Sequence, residues 1–174
     1  MKRLLLETER MQLLRPESSD VAFFKKVYGD PQMMTHLGGA QSDSFIQERF
    51  HECLSHWKRF GHGYSIVLLK ETAEEVGIAS LVYETVDGKS RPDLGCMILP
   101  EFQQQGLALE VTRAYLEYGF KSLSLDFITA CHHKDHAASK RIVEELGFKC
   151  EGLVPYSYGG KTFQYRSWVK RRSI

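Results

Sequence analysis

An apolar run at residues 94–99 stops at Pro100, and a polar turn, Glu101-Phe102-Gln103-Gln104-Gln105, follows. From about Gln105 the chain changes to a helical period, Gly106-Leu107-Ala108-Leu109-Glu110-Val111. Strand, turn and helix in that order tie the start of a long helix to the end of a strand. The first turn of a helix carries N–H groups with no intrahelical acceptor, together with the positive end of the macrodipole. Small residues such as Gly106 and Ala108 let that backbone approach an anion closely. The stretch therefore reads as a phosphate-cradling turn, although tight helix packing alone would also use a glycine there.

The chain on either side suits a mixed sheet. Residues 4–15 alternate loosely and end at Pro16, predicting a first strand whose best part is 11–14. Ser18-Ser19-Asp20 can cap a helix to about Tyr28, which Gly29-Asp30-Pro31 breaks. The loop at 32–41, with Met33, Met34, His36 and two glycines, reads as a substrate lid or as core filling. Ser44-x-x-Gln47 resembles a capping box for a second helix with Ile46, Phe50, Cys53 or Leu54, and Trp57 on its apolar stripe, ended by Gly61-His62-Gly63.

Strands follow at 64–70, 76–86 and 93–99, separated by polar turns at 71–75 and Asp87-Gly88-Lys89. Leu107, Val111, Tyr115 and Tyr118 mark one face of the third helix. A strand at 126–131 leads to a helix with Ala138, Ile142 and Leu146 inward and Gly147 at its C′ position. Strands at 148–151 and 162–170 close the chain around a loop containing Tyr156, Tyr158, Gly159 and Gly160. Successive hairpins argue for a mostly antiparallel sheet. With 174 residues, 43% of them hydrophobic, one α/β (α+β) domain over 1–174 is expected.

Composition excludes several function classes. A formal charge of +1 gives no global reason to expect nucleic acid or an anionic membrane, and Lys170-Arg171-Arg172 reads as a solvated tail. No apolar run approaches the roughly 20 residues of a membrane span. Leu4-Leu5-Leu6 is followed by Glu7 and Glu9, unlike a signal peptide, so a cytoplasmic location is the default. The four cysteines are scattered, and Cys96 and Cys131 lie in strand-like runs as buried thiols. His132, His133 and His136 cluster without ligands at zinc-finger spacing, so no metal is expected.

Two segments together resemble the GNAT superfamily of acyl-CoA-dependent N-acetyltransferases. Gln103-x-x-Gly106-x-Ala108 is similar to that superfamily's Gln/Arg-x-x-Gly-x-Gly/Ala pyrophosphate loop. Downstream, Ser139-Lys140-Arg141-Ile142-Val143 through Gly147-Phe148 resembles its Ser-x-basic-apolar-apolar segment. The opening Glu9-Arg10-Met11-Gln12-Leu13-Leu14-Arg15-Pro16 is similar to the subgroup holding ribosomal-protein N-terminal acetyltransferases.

The resemblance implies a sheet splayed between its fourth and fifth strands (93–99 and 126–131) to admit acetyl-CoA. Amides of the pantetheine arm would meet Met97, Ile98 and Leu99, while Gln103, Gln104, Gln105, Gly106, Leu107, Ala108 and Leu109 would hold the pyrophosphate. His136 stands where the subgroup usually has an asparagine that helps hold the arm, so His136 and Ser139 complete the expected cofactor contacts.

Direct transfer of an acetyl group needs a neutral amine, stabilisation of an oxyanion and a proton for the departing thiolate. Backbone N–H groups near Ile98 and Leu99 are candidates for the oxyanion. The subgroup resemblance favours Ser139 as the acid, with Tyr156 and Tyr158 as alternatives and helix capping as the simpler role for the serine. Asp93 and Glu84, near strand ends, are the carboxylates placed to act as base, although strand-end charges are commonly only solvated. Glu110 reads as structural.

An α-amine, with a pKa of about 7.7–8.0, needs far less help from a base than a lysine at about 10.4. A protein N-terminal α-amine is thus the first choice of acceptor. A polyamine or other small amine is second, and a non-catalytic acyl-CoA sensor is the alternative. A homodimer is left open.

Overall fold

The apolar runs pair into one sheet. In the computed structural model, which describes residues 4–86 and 88–172, the chain runs β1 (Leu4–Glu7), β2 (Met11–Leu14), α1 (Val21–Tyr28), α2 (Asp43–Phe60), β3 (Tyr64–Leu69), β4 (Glu75–Val86) and β5 (Lys89–Ile98). It continues through α3 (Leu107–Lys121), β6 (Phe127–His133), α4 (Ala137–Glu145), β7 (Lys149–Tyr158) and β8 (Lys161–Arg171). The strand order is β1-β2-β3-β4-β5-β6-β8-β7. Every neighbouring pair is antiparallel except β5 and β6, which run parallel and share one registered pair, Asp93 with Thr129.

Alternation along the strands divides the core in two. Ala79, Leu81 and Leu94 face α3 and α4, packing with Val111, Tyr115 and Val143. Ile66 and Ile78 face the other way, against Phe24 of α1 and Phe50 and Trp57 of α2. On α2 the expected stripe is buried, with Cys53 rather than Leu54 as its third member. Burying such a side chain is worth about 1.5–3 kcal/mol, so the stripe rather than helix propensity holds α2 in place. Among the described residues no helix is long and apolar enough to cross a membrane.

Several boundaries differ from the sequence reading. The first strand is a hairpin of β1 and β2, turned where the Thr8 hydroxyl accepts from the Met11 N–H at 3.0 Å. The cap of α2 is Ser42, whose hydroxyl accepts from the Phe45 N–H at 3.3 Å; Ser44 hydrogen-bonds to Ser42 instead. Pro92 lies inside β5 rather than before it. It tolerates that place because its missing N–H falls on the edge away from β4, the edge on which Thr129 donates to the Pro92 carbonyl.

Beyond a bulge between Cys150 and Gly152, β7 continues to Tyr158, so Tyr156 and Tyr158 are strand residues and not loop residues. Gly159 and Gly160, at φ +56° and +74°, form the hairpin turn. Ala138 is exposed, and Val143 takes the inward position on α4. Of the turn expected at 87–89, Asp87 lies outside the described residues.

Candidate active site

Beyond Asp93 and Thr129, β5 and β6 part company. Backbone polar groups along a strand point alternately to its two edges. The Leu99 N–H donates to the Val76 carbonyl at 2.8 Å, and the Met97 carbonyl lies against Gly77, so both residues face β4. Cys96 and Ile98 therefore face the gap. The Ile98 carbonyl already accepts from Gln103 Nε2 at 2.8 Å, which ties the turn after β5 to the strand end. This corrects part of the sequence reading: the backbones of Met97 and Leu99 face β4 rather than the gap, so the Leu99 N–H is unavailable to an oxyanion, whereas Cys96, read only as a buried thiol, turns its backbone to the opening.

The turn itself is strained in a useful way. Gln104 and Gly106 adopt φ +60° and +77°. The first helical bond of α3 is Glu110 N–H to the Gly106 carbonyl at 3.1 Å. Among the described residues no group accepts from the N–H groups of residues 104–109, and α3 has no side-chain cap. Six successive donors without acceptors make a cradle for a polyanion such as a pyrophosphate. One helix terminus gives a nearby charge only ~0.3–1 kcal/mol, so the several N–H groups matter more than the dipole. Arg10 braces the cradle from outside, donating to the Gln105 carbonyl at 2.9 Å and to Glu110 at 2.7 Å. Glu110 thus has the structural hydrogen bonds expected of it.

A cavity of about 210 Å³ passes through the opening. Thr112, Ser139 and Val143 line it on the α3–α4 side, and Tyr28, Arg49 and Tyr158 on the α1–α2 side. The carboxylate and hydroxyl candidates, Asp93, Glu84, Ser139, Tyr156 and Tyr158, all line it, as do Met97 and His136. Ile98 and Leu99 are buried in the core at the strand end, and Leu107 anchors α3 there; Ala108 and Leu109 are half-buried beside them.

Asp93 is the most perturbed carboxylate. Burial pushes it up to about 7, the Thr129 hydroxyl at 2.9 Å opposes that shift, and the charge of Glu84 adds to it. Its side chain keeps some surface toward the cleft. Glu84 sits on the same sheet face and is ion-paired with Arg49 at 3.3 Å. Arg49 also donates to the Tyr64 hydroxyl at 3.0 Å and to Glu52 at 3.0 Å.

His136 is the N-cap residue of α4, and its Nδ1 accepts from the Ser139 N–H at 3.4 Å. The ring lies 4.3 Å from that of His36, while His36 lies 5.4 Å from His133. Burial, then the neighbouring imidazoles, push His136 down to about 4, so at neutral pH Nδ1 is an acceptor. A histidine cannot copy both halves of an amide, but here it supplies the accepting half. Ser139 is capped rather than capping, and its hydroxyl has no hydrogen-bond partner among the described residues. No cluster of metal-holding geometry occurs among the described residues. Burial pushes the Cys96 thiol up to about 12 and the Cys131 thiol higher still, which makes both poor nucleophiles.

Sequence reasoning missed Arg49, Tyr28, Tyr64 and Thr112. Arg49 stands beside the apolar stripe of α2, and nothing in the local pattern marks it out. Tyr64 read as an ordinary strand residue.

Residues 10–149 match the family model described as Acetyltransferase (GNAT) domain. The uncharacterized protein YkkB of Bacillus subtilis is 27% identical over 143 residues, covering 82% of this chain and 83% of that protein. An acetyltransferase structure from Agrobacterium tumefaciens superposes with a TM-score of 0.82 at 22% identity, covering 96% of this chain and 94% of that one. A ribosomal L7/L12 alpha-N-protein acetyltransferase, solved with coenzyme A, gives 0.74 at 14% identity, covering 97% and 98%.

Proposed function

The chain belongs to the GNAT acetyltransferase domain family and is an acyltransferase, and we propose that it moves an acetyl group from acetyl-CoA to the α-amine of a protein or peptide N-terminus. The observation that carries the cofactor is the run of six unpaired N–H groups at 104–109 opening onto an unpaired edge of β5. Acetyl-CoA supplies an activated thioester and, in its pyrophosphate, the anion that such a run of donors suits.

The roles follow the two faces of the sheet. Gln104, Gln105 and Gly106, with the first turn of α3, hold the phosphates, and Gln103 fixes the turn to β5. Backbone groups of Cys96 and Ile98 offer the pairing that a pantetheine amide requires, and Met97 walls the cleft. His136 orders the start of α4 so that Ser139 faces the cavity. Asp93 takes one proton of the incoming ammonium on its carboxylate, the neutral amine adds to the thioester carbonyl, and as the C–S bond breaks the Ser139 hydroxyl gives its proton to the sulfur and regains one from the nitrogen. A carboxylate titrating near 7 is matched to an α-amine at about 7.7–8.0.

Glu84 is already neutralised by Arg49, so the cavity has no row of free carboxylates for a polyamine. A non-catalytic sensor would need neither Asp93 facing the cleft nor an ordered Ser139. The similarity in fold to a ribosomal-protein acetyltransferase accords with a protein N-terminus as acceptor.

Thiol release from acetyl-CoA, measured against peptides of varied N-terminus and against polyamines, tests the proposal. Peptides should turn over at least about tenfold faster than spermidine at equal concentration, given the charge each must lose. The reverse order overturns the acceptor. Binding of acetyl-CoA without thiol release from any amine identifies a sensor.

A further inference from the structure

On the α1–α2 side of the cavity one polar atom is out of place for an interior. Tyr158 is only 8% exposed, and its hydroxyl is buried with no partner in hydrogen-bond geometry among the described residues; the Arg49 side chain interacts with its oxygen, which leaves its proton without an acceptor. Such atoms are rare in folded proteins unless a ligand completes them. Its surroundings are built rather than accidental. The Tyr158 ring packs against Phe45 at 5.2 Å, and the Arg49 guanidinium lies 5.6 Å from its centroid. Arg49 donates to the oxygen of Tyr64, which leaves the Tyr64 proton with no acceptor among the described residues.

The three groups line the same cavity as Asp93. Burial pushes the Tyr158 hydroxyl up to about 12 and that of Tyr64 higher, so both remain protonated donors at neutral pH. The one carboxylate among them, Glu84, is occupied by Arg49. The wall therefore offers donors and a cation, and its complement is a hydrogen-bond-accepting oxygen.

We infer that Tyr158, with Tyr64 and Arg49, forms a subsite for a carbonyl or carboxylate oxygen carried next to the reacting amine. The acceptor class is then an α-amino acyl compound, and a plain alkylamine or polyamine is discriminated against. The inference rests on the proposed transfer to an amine, and it concerns binding rather than chemistry. A peptide carbonyl and a free amino-acid carboxylate share the required oxygen.

The test uses calorimetric titration into the protein saturated with CoA, which has no acetyl group and so permits no turnover. The ligands are alaninamide, alanine, alanylalanine and sec-butylamine, the last replacing the amide of alaninamide by an ethyl group. Alaninamide should bind at least about tenfold tighter than sec-butylamine, because a site built to hydrogen-bond an oxygen rejects an analogue lacking it. Tyr158→Phe should cut that preference to below about threefold. The same variant should leave CoA affinity unchanged and the thermal midpoint equal or higher, since it deletes a buried hydroxyl whose proton has no acceptor.

Tighter binding of alanylalanine than of alanine identifies the peptide carbonyl as the natural oxygen; the opposite order identifies the carboxylate. Equal binding of alaninamide and sec-butylamine, an unchanged preference in Tyr158→Phe, or no binding of any acceptor overturns the inference. If the preference holds while acetyl-CoA in place of CoA gives no acetylated product, the catalytic reading fails and the subsite stands.

Discussion

Asp93 shows what one position contributes. It faces Val82 across the β4–β5 ladder, with Glu84 two residues along the same face, so burial and a like charge both hold its proton. A carboxyl at about 7 when folded and about 3.9 when unfolded binds more protons folded than unfolded between those values. Stability therefore falls as pH rises through that window. Asp93→Asn should be more stable than the parent at pH 8, by about 1–2 kcal/mol after screening by solvent in the cleft, with the difference gone near pH 4. Its kcat should drop about 10²–10³-fold, and the limb of the pH–rate profile near 7 should vanish. Urea denaturation at the two pH values and the rate profile check this.

The sequence reading put Asp93 at a strand start, but β5 begins at Lys89 and leaves it in mid-strand; there, with Glu84, it lines the cavity. The pairing of Glu84 with Arg49 was not legible, since Arg49 lies 35 positions earlier on a helix and nothing in local spacing joins them.

At the scale of elements, the decisive unit is the tail of β5, its turn and the head of α3. That unit was legible because glycine, a helical period and a proline stop coincide in a few residues. Gly106→Val keeps the sequence of elements but forces a β-branched residue to φ +77°. A Cβ there meets only Arg10 Nη2, at 3.6 Å, so the cost is backbone strain of about 1–2 kcal/mol rather than a clash. Calorimetry should find a folded protein with at least about hundredfold weaker acetyl-CoA binding, since several N–H donors move together.

Other elements were harder to read. The β1–β2 turn, Thr8-Glu9-Arg10, has no glycine, proline or asparagine and closes through a threonine side chain. The bulge before Gly152 shifts the alternation of β7 and hides Val154, Tyr156 and Tyr158 as inward residues. Ser42 and Ser44 both suit a cap by type, and only the path of the chain selects Ser42.

Across the whole molecule, one parallel junction in an otherwise antiparallel sheet gives the site its two sides. α3 and α4 hold the end that suits a nucleotide, α1 and α2 the end with the tyrosines and Arg49, and Asp93 stands at the last registered pair between them. The layered α/β plan followed from periodicity and hairpin signals. The depth of the cleft did not, because it depends on how far β5 and β6 diverge, which no single segment encodes.

The direct measurement is amide hydrogen exchange with and without acetyl-CoA. Amides 104–109 lack acceptors among the described residues and should exchange fast in the free protein, then become protected together with Cys96 and Ile98 when acetyl-CoA binds. Binding that leaves 104–109 unprotected, or that protects another part of the sheet instead, would contradict the placement of the cofactor at this opening.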